Sequence, residues 1–148
     1  LADLLDAGAA PIAAKASGVT LVDYDVAADH CVWHSADGTV FGHDPARLPR
    51  LADYAALLLP DDRDRLQAQQ AASMAEPVGP KVDVHRIRHA DGSVRAVEAR
   101  GEMVWRDGAA RRWVGHLTDV TARHELEQRL RMQGSVLEAL GEAVTVAR

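Results

Sequence analysis

The alternation of hydrophobic and polar positions divides the chain into two β-rich blocks around a helical middle. Residues 19–26 (Val-Thr-Leu-Val-Asp-Tyr-Asp-Val) and 30–34 (His-Cys-Val-Trp-His) are rich in β-branched and aromatic side chains, and Ala27-Ala28-Asp29 joins them as a hairpin. A turn at Asp37-Gly38 closes this block. Residues 39–76 lose the alternation, with Gly42, Pro45, Pro49 and Pro60 separating short helical pieces. Leu51 to Leu59 reads as one apolar helix. Residues 61–75 read as a longer one, with Pro60 ahead of it and acids in its first turn. After Pro80 the period of two returns in Lys81-Val-Asp-Val-His-Arg-Ile-Arg. Turns at Asp91-Gly92 and Asp107-Gly108 lead to strands over Val94 to Trp105 and Arg112 to Val120. These three strands are predicted to form an antiparallel meander. Two strands, a helical insert, then three strands make the chain α+β, with one five-stranded antiparallel sheet and the insert between strands 2 and 3. Residues 1–16, with apolar Leu1, Leu4, Leu5 and Ile12, predict a lead-in helix that ends before Gly18.

The last strand is read as an edge of the sheet whose end passes straight into a C-terminal helix. Thr121 is placed to cap the free N–H groups of the first helical turn, and Glu125 lies near the positive end of the helix dipole. From there Leu126, Leu130, Gln133, Leu137, Leu140 and Val144 recur at alternating spacings of four and three, a heptad seam that predicts pairing with a second helix. Gln133 would cost stability but fix register, and Gly134 and Gly141 weaken a continuous helix by about 1 kcal/mol each. A coil over residues 122–146 would run about 37 Å. At the junction, Asp119 is positioned to pair with Arg95 or Arg100 and so hold the helix to the sheet.

Several short stretches, in order, carry a resemblance to a known family. They are Val22-Asp23-Tyr24-Asp25, Val32-Trp33-His34-Ser35, Phe41-Gly42-His43-Asp44-Pro45 and Pro60-Asp61-Asp62-Arg63. The series continues with Arg86-Ile87-Arg88-His89-Ala90-Asp91-Gly92-Ser93-Val94-Arg95 and ends in Gly115-His116-Leu117-Thr118-Asp119-Val120-Thr121. Over residues 17–121 the chain resembles a PAS sensor domain with its C-terminal PAC motif. It departs from that pattern at Ala96, where the family usually has Trp, and at Leu59, where it often has His. The resemblance implies a sensory and dimerisation module of the kind found in histidine kinases and diguanylate cyclases. Such modules partner a second copy and adjacent domains of the same polypeptide, and relay a ligand or partner signal through the exit helix. A small-molecule pocket is then expected between the inner sheet face and the insert, lined by Trp33, Phe41, Leu58, Met74, Val97 and His116. Asp119, Thr121, Arg95 and Arg100 form the expected relay. Residues 122–148 form the signalling helix, and the stretch from Val136 to Val144 is similar to the start of a further such domain.

Composition narrows the classes. The chain has 148 residues, a net charge of -5 and two Lys among 17 basic residues, with no basic cluster suited to nucleic acid. The longest apolar run, Tyr54 to Leu59, is too short to span a bilayer. No charged-then-apolar leader is present and Cys31 stands alone, so a cytoplasmic location is expected. His30 and His34, and His85 and His89, have a spacing that on a strand puts them about 13 Å apart. That is beyond chelating reach, so they read as polar surface of the sheet and no metal site is assigned. In haem-binding relatives the axial His lies on the long helix of the insert, and residues 50–79 contain none, with Met74 the one soft ligand. Light-sensing flavin relatives carry a reactive Cys in an Asn-Cys-Arg motif. Cys31 lies in the first hairpin without it and reads as a small apolar group. Haem and cysteinyl-flavin are therefore not expected, and the cofactor is left open. No nucleophile motif or catalytic constellation stands out, so a sensor is expected rather than an enzyme. Two alternatives remain: a ligand-free interaction domain, and a phosphoacceptor helix built on His124-Glu125-Leu126, whose kinase-type continuation is missing.

Overall fold

The computed structural model of the chain describes residues 1–146, with side chains through residue 142. Five strands form one antiparallel sheet: β1 (Thr20–Asp25), β2 (His30–His34), β3 (Lys81–Arg88), β4 (Val94–Arg106) and β5 (Ala109–Asp119). Their order across the sheet is β2-β1-β5-β4-β3. The last strand is therefore central and not an edge. Its Val114 pairs with Asp23 of β1, while its Gly115 pairs with Gly101 of β4. The hairpin signal at Asp107-Gly108 reports only the β4 partner, because β1 lies far away in sequence and leaves no local mark.

Short helices α1 (Ala2–Asp6) and α2 (Ala10–Ser17) replace the single lead-in helix. Gly8, at φ 73°, breaks the chain between them, and Pro11 sits in the first turn of α2, where no N–H is needed. Gly18 ends α2 in the left-handed conformation that glycine adopts without cost. Ala10 and Ala14 of α2 pack on Leu21 of β1 and cover part of the outer sheet face.

The insert holds α3 (Leu51–Ala55) and α4 (Pro60–Ala75). The helix expected over 51–59 stops at Ala55, because Pro60 forces Leu59 into an extended conformation. Leu57 and Leu59 then exchange backbone hydrogen bonds with Arg88 and Arg86, so Leu58 bridges to Ile87 at the edge of β3. The main core lies between this insert and the inner sheet face: Val40, Leu48, Tyr54, Leu58, Ile87, Val97, Ala99 and Leu117. Helix α4 contributes no buried residue to it. Polar bonds hold its first half instead. Asp62 accepts from the Arg86 backbone N–H at 2.7 Å and from Arg86 Nε at 2.9 Å, and Arg65 donates to the Val84 carbonyl at 2.8 Å. The last helix, α5 (Thr121–Val146), leaves the central strand and contains the stretch read as a further domain start. Among the described residues no helix is long and apolar enough to cross a membrane.

Gly101 and Gly115 face each other across β4 and β5, and the Trp113 indole covers both. A Cβ at Gly115 would lie 2.3 Å from Trp113 Cη2 and 2.6 Å from the Arg100 carbonyl oxygen. The ring can shift, but the carbonyl belongs to the ladder and cannot. Gly115→Ala is therefore expected to lose about 1–3 kcal/mol through overpacking, read as a lower urea midpoint. A midpoint equal to wild type would remove the close packing assigned here.

Candidate functional site

Beneath α4 the inner sheet face encloses a cavity of about 90 Å³. Its sheet wall includes Val22, Cys31, Trp33, Ala99, Met103, Trp113 and Leu117, and its helical wall Leu51, Tyr54, Leu66 and Met74. Gln69, Gln70 and Ser73 of α4 and Lys81 of β3 also line it. Of the residues expected there, Trp33 and Met74 line the cavity. Four do not. Phe41, Leu58 and Val97 pack in the closed core, Leu58 because it bridges to Ile87. His116 points to the opposite face, and Leu117 takes the inward position. This is the one-residue parity error to which strands are prone, because neighbouring side chains face opposite ways.

One wall of the cavity is a buried polar chain that the alternation argument misread. His85 was expected on the sheet surface but is 1% exposed. Its Nε2 meets the Tyr54 hydroxyl at 2.5 Å, and its Nδ1 lies 3.1 Å from Asp83 Oδ2. Arg65 binds the other carboxylate oxygen of Asp83. Burial opposes ionisation of Asp83, but His85 and Arg65 outweigh it and hold the carboxyl below its ordinary value. An ionised Asp83 only accepts, so Nδ1 donates to it, and Tyr54 donating to Nε2 leaves every atom of the chain paired. The signal for this inversion was present: Ile87 is out of phase with Val82 and Val84, so all three cannot share one face. The strand buries Ile87, and Val82 and Val84 are left 55% and 36% exposed. Cys31 packs with Val22 and Tyr24, and burial pushes its thiol up to about 12, leaving no reactive thiolate near neutral pH. Among the described residues no group of three or more His, Cys, Asp or Glu is placed to hold a metal ion.

The second element is the joint between sheet and exit helix. Arg95 Nε donates to Asp119 Oδ2 at 2.8 Å. Asp119 Oδ1 accepts from the Thr121 backbone N–H at 3.0 Å and from its hydroxyl at 2.5 Å. The Thr121 hydroxyl in turn accepts from the Ala96 N–H, and the Val120 N–H donates to the Ala96 carbonyl. The expected cap by Thr121 is thus replaced: Asp119 satisfies the terminal N–H, and Thr121 turns toward β4. Arg100 is no partner of Asp119. It lies opposite His116 and donates to Glu98 at 2.7 Å. Glu98 also receives Arg123 of α5 at 2.6 Å, a second sheet-to-helix link that sequence reading missed. Beyond the joint, Leu126, Leu130, Leu137 and Leu140 are between 53% and 68% exposed, and Gln133 is exposed with them. Val144 of the expected seam lies outside the residues whose side chains are described.

The family model for the PAS fold matches residues 32–117, more than half of the chain. The chain belongs to the PAS family. Among solved structures it is similar to a sensory box histidine kinase/response regulator of Burkholderia thailandensis, at 25% identity and TM-score 0.71. That alignment covers 86% of this chain and 96% of the other. It shares its fold with the N-terminal domain of a diguanylate cyclase with PAS/PAC sensor of Marinobacter aquaeolei (15% identity, TM-score 0.63, 72% and 98% covered). The fold is also that of a domain of a putative light and redox sensing histidine kinase of Haloarcula marismortui (22%, 0.58, 70% and 90%). No curated protein sequence matches it significantly. This PAS domain is a sensory module rather than a catalytic one.

The joint carries a pH signature. Burial opposes ionisation of Asp119, but Arg95 and Thr121 hold its carboxyl below the ordinary 3.8. Asp62 is lowered chiefly by its hydrogen bond from Arg86. With folded values below the unfolded ones, the unfolded chain binds more protons as the solution turns acid. Their stabilisation is complete above about pH 4 and is lost as pH falls through the folded values. Urea midpoints measured from about pH 5 downward are expected to fall, and Asp119→Asn to fall less steeply than wild type. Parallel curves would exclude Asp119 from the acid response.

Proposed function

We propose that this PAS domain senses through the cavity under α4 and relays the change through α5 to an adjacent output domain, working as a dimer whose exit helices pair. The parent would be a histidine kinase or a cyclic-dinucleotide enzyme. The observation that supports this most is the joint. Helix α5 starts from the central strand, and its first turn is tied to β4 by Asp119, Thr121, Arg95 and the Glu98–Arg123 pair. A tilt between β4 and β5 therefore reorients the helix at its root. The four exposed leucines give that helix something to pair with, and two packings of the pair would form the two-state element that an output domain reads.

Pairing is tested by sedimentation. The chain is expected to sediment as a dimer, and Leu130→Glu with Leu137→Glu to give a monomer with an unchanged β-sheet circular dichroism signal. A wild-type monomer, or a double variant that stays dimeric, would sink the seam.

A cavity of about 90 Å³ is small beside the roughly 300–1,000 Å³ of common ligand pockets. That favours a second reading, an interaction domain with a filled core. Native mass spectrometry of the purified chain separates the two. The sensory reading expects a retained small molecule or a mass shift on metabolite addition, whereas a bare mass under all additions supports the scaffold.

A further inference from the structure

We propose that the cavity takes a small monoanionic amphiphile, a short-chain carboxylate, with its apolar body inside and its carboxylate at the mouth beside Lys81. This rests on the reading of the cavity as the sensory site. Four observations lead to the class.

The interior offers apolar contact through Trp33, Met103, Trp113 and Leu117. The polar groups within it are already matched: Tyr54, His85 and Asp83 bond to one another and to Arg65, so none is free to recognise a ligand. The unmatched groups lie at the mouth. Gln69, Gln70 and Ser73 lie on the side of α4 that lines the cavity, and Lys81 opens β3. No hydrogen bond or ion pair joins these four side chains to any described residue. Charge then selects the sign. Asp83 is taken up by Arg65, and Asp62 by Arg86. Lys81 is left as one uncompensated ammonium. Lys81 is solvent-exposed and hydrated, so it disfavours a cationic ligand there and gives a neutral one no charge-assisted bond. A carboxylate answers it with a charge-assisted bond, with two amides and a hydroxyl as further donors.

Size fixes the body. An apolar cavity of about 150 Å³ holds benzene, so about 90 Å³ holds something smaller than a ring. A branched or straight chain of about three or four carbons is the fit. Larger bodies would have to displace Trp113 from Gly101 and Gly115.

The test uses isovalerate, isovaleramide and benzoate, titrated into the intact chain. Tryptophan emission, to which Trp33 and Trp113 at the cavity contribute with Trp105, and the melting temperature are the readouts. Isovalerate is expected to bind in the millimolar range, about tenfold tighter than the amide and tighter than benzoate. Lys81→Gln is expected to erase the acid–amide difference while leaving amide binding and the unliganded melting temperature unchanged. Amide binding equal to or tighter than acid in the wild type overturns the anionic class while keeping the cavity as a ligand site. An acid–amide gap that survives Lys81→Gln overturns the assigned head group. Silence from all three probes overturns the proposal, and the native mass measurement then decides separately whether the cavity senses anything.

Discussion

Strand β5 is hydrogen-bonded on both sides, and neither half of the sheet closes without it. The first hairpin, β1–β2, joins the second block of strands through the pairing of residues 20–25 with 112–117. That contact brings together segments separated by most of the domain, so the loop-closure entropy of the whole insert must be met before the pairing forms. Once formed, it gives the C-terminal end of the domain an unusual position. The chain exits from the middle of the sheet rather than from a rim, and the first turn of α5 is tied to β4.

The roof of the cavity is held by a different kind of force from the floor. The floor is close-packed, with Trp113 lying on two glycines and Leu117 buried on the same face. The roof, α4, has no buried side chain and is fastened through Asp62, Arg65 and their partners on β3. These bonds all lie in its first two turns, and the second half meets the cavity through Gln69, Gln70, Ser73 and Met74 without a comparable fastening. Few buried apolar contacts and partly exposed polar bonds are the conditions for local opening at low cost. The asymmetry places that freedom at the end of α4 nearest Lys81.

Much of the fold was legible because period-two patterns and Asp-Gly turns are local. Residues 81–88 form the strand their alternation predicts, and Gly18 and Pro60 stand at helix boundaries for the reasons their backbones supply. What was not legible depends on partners distant in sequence. The central position of β5 follows from β1, and the inward turn of His85 follows from Tyr54 and Arg65, which sit on other elements. Leu58 leaves a helical stretch because β3 offers it a bridge. The cavity set failed in a similar way: Trp33 and Met74 were placed by element, whereas His116 needed the facing of β5, which a single residue of register reverses. At the joint, sequence offered Asp119 either Arg95 or Arg100, and the fold selects Arg95; the Glu98–Arg123 pair depends on the crossing of β4 and α5, which leaves no local mark.

These misplacements converge on one row of the sheet. His85 pairs with Val97, and Val97 pairs with Asp119, so three adjacent strands line up the buried polar chain, a fully buried valine and the root of the exit helix. Val97 is fully buried, and close-packed interiors transmit displacement rather than absorb it. In the proposed relay, a group entering the cavity would meet His85 and Tyr54 on the wall, and a shift of His85 would press on Val97, its partner in the ladder. The carboxylate at the far end is bonded to Arg95 and Thr121, so on that proposal movement there would change the direction in which α5 starts. Such a lateral route would cross only three strands, and it would not require the insert to unfold or the sheet to break.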